Sequence, residues 1–422
     1  MTALAVPVRA HATVSRRAVA AGTFILLGLI DIFLFGLFAH KGDATFAFTV
    51  SGTSVSVPSI HAPAALTAYV LGALSIAIGM LRAVTDPGAM AKRLSIAVVV
   101  LFFVISLLCW AYAGNAIPLN AVNLLQSTLN LSIPLVLGAL AGCMCERSGV
   151  INIAIEGQLL LGAFAAAVVA SAFGGLWLGL ITGSMAGGLL GLVLAAFAIN
   201  FLVDQIILGV VLNVLASGLT GYLNDRVLVS RPELNSGLTF NAIKIPVLGD
   251  IPIIGPIFFD STIFLYVMYA MIILVQVGLF RTKWGLRVRA VGEHPAAADT
   301  VGIRVRATRY RNVILGGLIA GIGGAYLTVG SVGTFSKDMS SGLGYIALAA
   351  MIFGRWTPLG ATAAALLFGF ANSLQATLST VNVPISSYFL LMAPYVATII
   401  AVAGLVGRVR APAADGKPYV KA

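Results

Sequence analysis

Long apolar runs, recurring from near the N-terminus to near the C-terminus, constrain this chain more than any other feature. Roughly 20 apolar residues span a bilayer as a helix. Within hydrocarbon every backbone N–H and C=O must be satisfied internally, which leaves helices or closed barrels. Runs of the required kind fall at 18–39, 63–82, 94–114, 121–144, 152–172, 177–200, 205–223, 262–280, 312–332, 341–354, 359–379 and 385–407. The run at 341–354 is too short to cross unaided and reads as a tilted half-helix or a re-entrant piece. The expectation is all-α: a polytopic membrane helical bundle of ten to twelve transmembrane helices. Charged residues make up 9% of the chain, against roughly 25% in soluble domains, so lipid is the principal solvent. Arg9, Arg16 and Arg17 precede the first run, which exceeds the roughly 7–15 residues of a signal-peptide core and is read as a retained helix.

The formal charge of +11 does not indicate a nucleic-acid partner, because the basic residues collect at alternate ends of the apolar runs. Arg82, Lys92, Arg93, Arg147, Arg355, Arg408, Arg410, Lys417 and Lys421 fall on one side, together with a loop at 281–311 that alone holds eight Lys and Arg. Lys41, Arg226, Arg231, Lys244 and Lys337 fall on the other. By the positive-inside rule both termini and that loop are cytoplasmic. Cys109, Cys143 and Cys145 have no metal-ligand spacing and read as apolar filling. The connection at 224–261, with Pro232, Pro246, Pro252 and Pro256, reads as a small outer cap. A faint echo between 157–187 and 344–369 is the pattern an inverted repeat would leave, although small-residue content alone produces similar matches.

Polar residues between and within these runs are the functional candidates. The segment ERSGVINIAIEGQ at 146–158 sets Glu146, Arg147, Asn152 and Glu156 between long apolar stretches, where charge costs roughly 2.5–3.5 kcal/mol and usually faces a cavity or a partner. Glu146 and Arg147 also suit a helix end at the headgroups, whereas Glu156 lies deeper. Asn123, Gln126 and Asn130 recur at helical spacing. With Asn213, Asn372 and Gln375 they read either as hydrogen bonds between helices or as a lining suited to a neutral, hydroxyl-rich solute. In the basic loop, Pro295 opens an alanine-rich stretch, Glu293 and Asp299 stand near its ends, and Gly302 stops it. This is helix punctuation, and a short surface helix between two spanning helices suits docking of a soluble partner. No catalytic group, metal site or cofactor site is read here. The chain lacks G-x-x-x-x-G-K followed by Ser or Thr, so it has no phosphate loop of its own. Asp31, Glu156 and Asp204 are the acids at or near the runs, few for a proton-driven carrier.

Three blocks, ERSGVINIAIEGQLLLGAFAA, KWGLRVRAVGEHPAAADTVGIRVRATRYRNVILGGLIAGIGGAYLT and GLGYIALAAMIFGRWTPLG, resemble permease subunits of ATP-binding-cassette importers. The branch is that for branched-chain amino acids, simple sugars and nucleosides, and the first block is similar to its nucleoside-type members, which work with a basic membrane lipoprotein. The resemblance covers about residues 120–405. It implies a permease core over 116–410, three helices outside the match at 1–115, and a cytoplasmic tail at 411–422. It places Gly292, Glu293, His294, Pro295, Ala298, Asp299 and Gly302 where the permease meets its ATPase; His294 stands where the family more often has Asn. It further implies two ATPase subunits on the cytoplasmic face, a second, non-identical permease chain, an external substrate-binding lipoprotein, and a multi-pass location in the cell membrane. The alternative is a twelve-helix, ion-coupled secondary transporter.

Overall fold

The computed structural model describes residues 16–38, 42–49, 57–381, 392 and 410–421. The run expected at 385–407, apart from Met392, lies outside the described residues, as do Arg9, Lys41 and Arg408. The chain divides into two units, residues 1–121 with 380–383, and 122–379 with 384–422.

In the first unit, helix α1 (Arg16–Ile30) continues into a π-helical stretch, Asp31–Gly36. It packs on α2 (Ala64–Val84), which α3 (Ala89–Tyr112) follows. Small residues bring α1 and α2 together: a Cβ at Gly28 would lie 2.5 Å from the Gly72 carbonyl. In lipid such close backbone approach replaces the hydrophobic effect as the force between helices. A small sheet closes one end, with β1 (Asp43–Ala47) antiparallel to β2 (Ile60–Pro63) and parallel to β3 (Leu119–Asn120).

The second unit is built on α4 (Ala121–Glu146), the most enclosed of the spanning helices. There follow α5 (Ile155–Phe173), α6 (Leu176–Ile199) and α7 (Gln205–Leu223), which extends as a π-helix to Leu228. Asp204 caps α7, accepting from the Ile206 and Ile207 amides. The proline-rich connection folds as a cap containing a 3-10 turn (Pro232–Asn235), β4 (Ile243–Lys244), α8 (Ile254–Phe258) and β5 (Asp260–Ser261), with β4 and β5 antiparallel. Beyond it come α9 (Ile263–Arg281), α10 (Lys283–Glu293), α11 (Pro295–Thr300), α12 (Val305–Leu327), α13 (Leu343–Phe353) and α14 (Pro358–Ser379). The tightest pair is α6 on α12: a Cβ at Gly183 would meet Ala325, and one at Gly187 would lie 2.6 Å from the Gly321 Cα.

Among the described residues ten helices are long and apolar enough to cross a membrane, within the expected range. The 341–354 run becomes α13, 11 residues long, or about 16 Å, too short to cross by itself. The three cysteines are free and buried, as the filling reading requires.

Candidate functional site

Two polar clusters organise the second unit, one at each end of the 146–156 segment. At the first, α4 stops in a tight turn. The Ser148 amide donates to the Cys145 carbonyl at 3.0 Å, the Gly149 amide to that of Glu146 at 2.9 Å, and Gly149 has φ +86°. That backbone region is open to glycine without penalty. Glu146 is buried and accepts from the indole N–H of Trp356, in the corner between α13 and α14. Arg147 donates from Nε to the Trp356 carbonyl at 2.7 Å and from Nη2 to that of Arg355 at 3.2 Å, and lies over the Phe280 ring. Asn152, fully buried, donates to Gln158 Oε1 at 3.1 Å and to Cys145 Sγ.

The α10–α11 pair sits on this turn. A Cβ on Gly292 would run into the Arg147 carbonyl, so glycine lets α10 seat on the backbone there. Thr282 caps α10 by accepting from the Gly285 amide at 3.1 Å. His294, with φ −147°, breaks the helix; Pro295 starts α11, and Gly302 at φ +83° follows its end. These are the start and stop read from the sequence. Ala298 is buried beside Val291 and Val305. Glu293 and His294 are exposed, and Asp299 is half-buried. The pair thus has one face fastened to the unit and one face open.

At the second cluster, Glu156 stands in the first turn of α5. Its Oε1 accepts from the Ser340 hydroxyl at 2.6 Å and the Gly342 amide at 2.8 Å, and its Oε2 accepts from the Gly344 amide at 2.6 Å. A carboxylate is therefore held by the amides opening α13, where the helix dipole favours negative charge. Asn213 accepts from the Gly157 amide at 2.8 Å and donates to the Ile153 carbonyl at 2.9 Å and the Tyr345 hydroxyl at 3.1 Å. Ser217 donates to Asp338 at 2.6 Å. Glu156, Asn213, Ser217, Asp338, Ser340 and Tyr345 line a cavity of about 420 Å³. A water-accessible wall of hydroxyl, amide and carboxylate groups can exchange hydrogen bonds with a polar, uncharged solute.

The other sequence candidates lie elsewhere. Gln126 donates to the Asp260 carbonyl at 3.2 Å, and Asn130 accepts from the Ser261 hydroxyl at 3.0 Å. Both side chains tie α4 to β5, while Asn123 is exposed on the same helix. Asn372 is half-buried on α14, beside Ser373, which donates to the Leu124 carbonyl at 2.8 Å. Gln375 donates to Ser379 on its own helix. None of these belongs to the cavity. Ser217, Asp338, Ser340 and Tyr345 were not singled out in the sequence. The polar run just before the short apolar α13 was the available signal for Asp338 and Ser340.

Residues 124–404 match the family described as the branched-chain amino acid transport system permease component. The chain belongs to this permease family. The permease is 42% identical over 307 residues to the guanosine ABC transporter permease NupQ of Bacillus subtilis, covering 71% of this chain and 96% of that one. It is 40% identical over 318 residues to the nucleoside ABC transporter permease NupC of Lactococcus lactis, covering 72% and 99%. A second guanosine ABC transporter permease of the same Bacillus, NupP, is 27% identical over 270 residues, covering 62% and 74%. No solved structure matches. As an ABC-type permease the chain is a multi-pass membrane protein and a transport subunit, and the ion-coupled secondary carrier is set aside.

Proposed function

We propose that this permease forms the membrane pathway of an ABC importer for nucleosides, with solute passing the Glu156–Asn213 cavity. The α10–α11 pair is the docking site for an ATPase carried on a separate subunit, and the charge asymmetry puts that pair on the cytoplasmic side. One observation carries the reading: a single short segment holds the docking pair at Glu146–Gly149 and the cavity at Glu156. A push on α11 is passed through Gly292 to the Arg147 backbone and along to the start of α5. Displacing α5 against α13 changes the bonds that Glu156 makes, and with them the shape of the cavity. Ribose hydroxyls and base amides match Asn213, Ser217 and Tyr345 without needing a charge.

Two permease chains, this one and a non-identical partner, would enclose the pathway, and an external lipoprotein would deliver solute. The names of NupQ and NupP, both guanosine permeases of one organism, support pairing of unlike permeases. The test is affinity purification of the tagged chain from native membranes, with labelled guanosine uptake in cells with and without it. A phosphate-loop ATPase and a second permease in the eluate, with ATP-dependent uptake outcompeted by nucleosides and not by glucose, is the expected result. Uptake by the purified chain alone in vesicles would overturn it.

A further inference from the structure

Residues 410–421 fold back onto the rest of the second unit. The Ala414 amide donates to the Gly292 carbonyl at 2.9 Å, and the Ala413 amide to Glu293 Oε2 at 3.2 Å. Arg309, only 2% exposed, donates from Nη1 to the Lys417 carbonyl at 2.9 Å. Gly416, at φ +71°, lies against Ile151, and a Cβ on Gly149 would meet both Arg309 Nη2 and the Ala414 carbonyl. Tyr419 packs with the cluster of Val291, Ala298 and Val305, and Lys421 Nζ is 3.9 Å from Asp299. Asp415 reaches Glu146, and the two carboxyl groups hydrogen-bond. Such a contact requires a shared proton, and burial pushes the Asp415 carboxyl up to about 7.

This strip therefore touches the end of α10, the buried side of α11, the first turns of α12 and the 146–151 turn. It leaves the outer surface of the docking pair uncovered: Glu293, His294, Ala296 and Ala297 stay exposed. Removing it would take from Arg309 the Lys417 carbonyl acceptor and the nearby Asp415 carboxyl group.

We infer that residues 411–421 are a coupling strap that binds the α10–α11 pair to the 146–152 turn, with Asp415 and Tyr419 as positioning residues that make pair and turn move as one body. The inference rests on the reading of α10–α11 as the ATPase-docking site. Without the strap, ATPase motion is absorbed at the Gly292 contact and does not reach Glu156.

The experiment uses the whole importer in proteoliposomes, with wild type, a chain ending at Arg410, Tyr419→Ala and Asp415→Ala. ATPase retention, ATP hydrolysis and guanosine uptake are measured together. The strap predicts retained ATPase, hydrolysis within about twofold, and about tenfold less guanosine moved per ATP for the shortened chain, with smaller losses in the point variants. Unchanged transport per ATP in all variants overturns the strap. So does a parallel fall of ATPase binding and hydrolysis. Hydrogen exchange of α10–α11 in the purified chain is a readout independent of the ATPase. Faster exchange on shortening supports the strap and unchanged exchange overturns it, whereas failure of wild type to bind any ATPase counts against the docking reading alone.

Discussion

Glu146 and Glu156 bracket one short segment, and the protein treats them differently. Glu146 is 4% exposed and is closed in by Trp356, Asp415 and the turn it ends. Glu156 is half-buried, takes three donors from Ser340 and the amides of Gly342 and Gly344, and borders a cavity. The first carboxyl group joins parts of the chain far apart in sequence, so its partners must stay together for the unit to hold. The second is satisfied mainly by backbone at a helix start and borders the cavity proposed as the solute path. A carboxyl group among membrane helices can thus be a structural joint or part of a working surface. The source of its donors distinguishes the two.

Glu146→Ala gives the sharpest test of that contrast. It leaves the Trp356 indole N–H buried without its acceptor, and an unsatisfied buried donor costs about 1–3 kcal/mol. Thermal unfolding of the purified chain should shift down by several degrees, with less protein in the membrane. A Glu146→Ala chain as stable as wild type would end its description as a joint. Next in size, Glu156→Gln keeps the volume but turns one acceptor into a donor facing an amide. Hydrogen bonds to charged groups contribute about 1.5–3 kcal/mol, so nucleoside uptake should fall by one to two orders of magnitude in an amount of membrane protein close to normal. Full uptake would remove Glu156 from the working surface.

A smaller effect follows from the Asp415 carboxyl, which burial raises to about 7 from the ordinary 3.8. Glu146 and Arg309 are the ionisable groups facing it. Between these values the docked strap holds a proton that a released strap gives up, so docking weakens as pH rises from about 4 through 7. Protection from hydrogen exchange over 410–421, corrected for the intrinsic exchange rate at each pH, should be greater at pH 5 than at pH 7 in wild type, and that difference should shrink in Asp415→Asn. The smallest effect is expected from Gln126→Leu with Asn130→Leu. Each removes one bond to β5, worth about 1 kcal/mol, and uptake should stay within about twofold; a larger loss would return this stripe to the pathway.

Much of the local structure was legible along the chain. Run length identified the spanning helices, and Pro295 with Gly302 marked the limits of α11, because helix caps depend on neighbouring residues. The helical form of 283–293 was less visible, since its basic residues read first as an orientation signal. Glu156 and Asn213 were recognisable as polar groups in apolar runs, but the sequence treated them like Gln126, Asn130 and Asn372, which share that pattern. Only the tertiary structure separated them, by giving Glu156 the amides of α13 and giving Gln126 and Asn130 the β5 segment.

By itself, then, the sequence determined a helical membrane permease with a punctuated basic loop, since spanning length and capping are local properties that the bilayer and the backbone read directly. The tertiary structure alone decided that Trp356 and Asp415 meet Glu146, and that residues 411–421 pack on the α10–α11 pair. Those contacts join residues more than about 100 positions apart, and no local pattern of apolar spacing encodes which distant partner a buried carboxyl group will find.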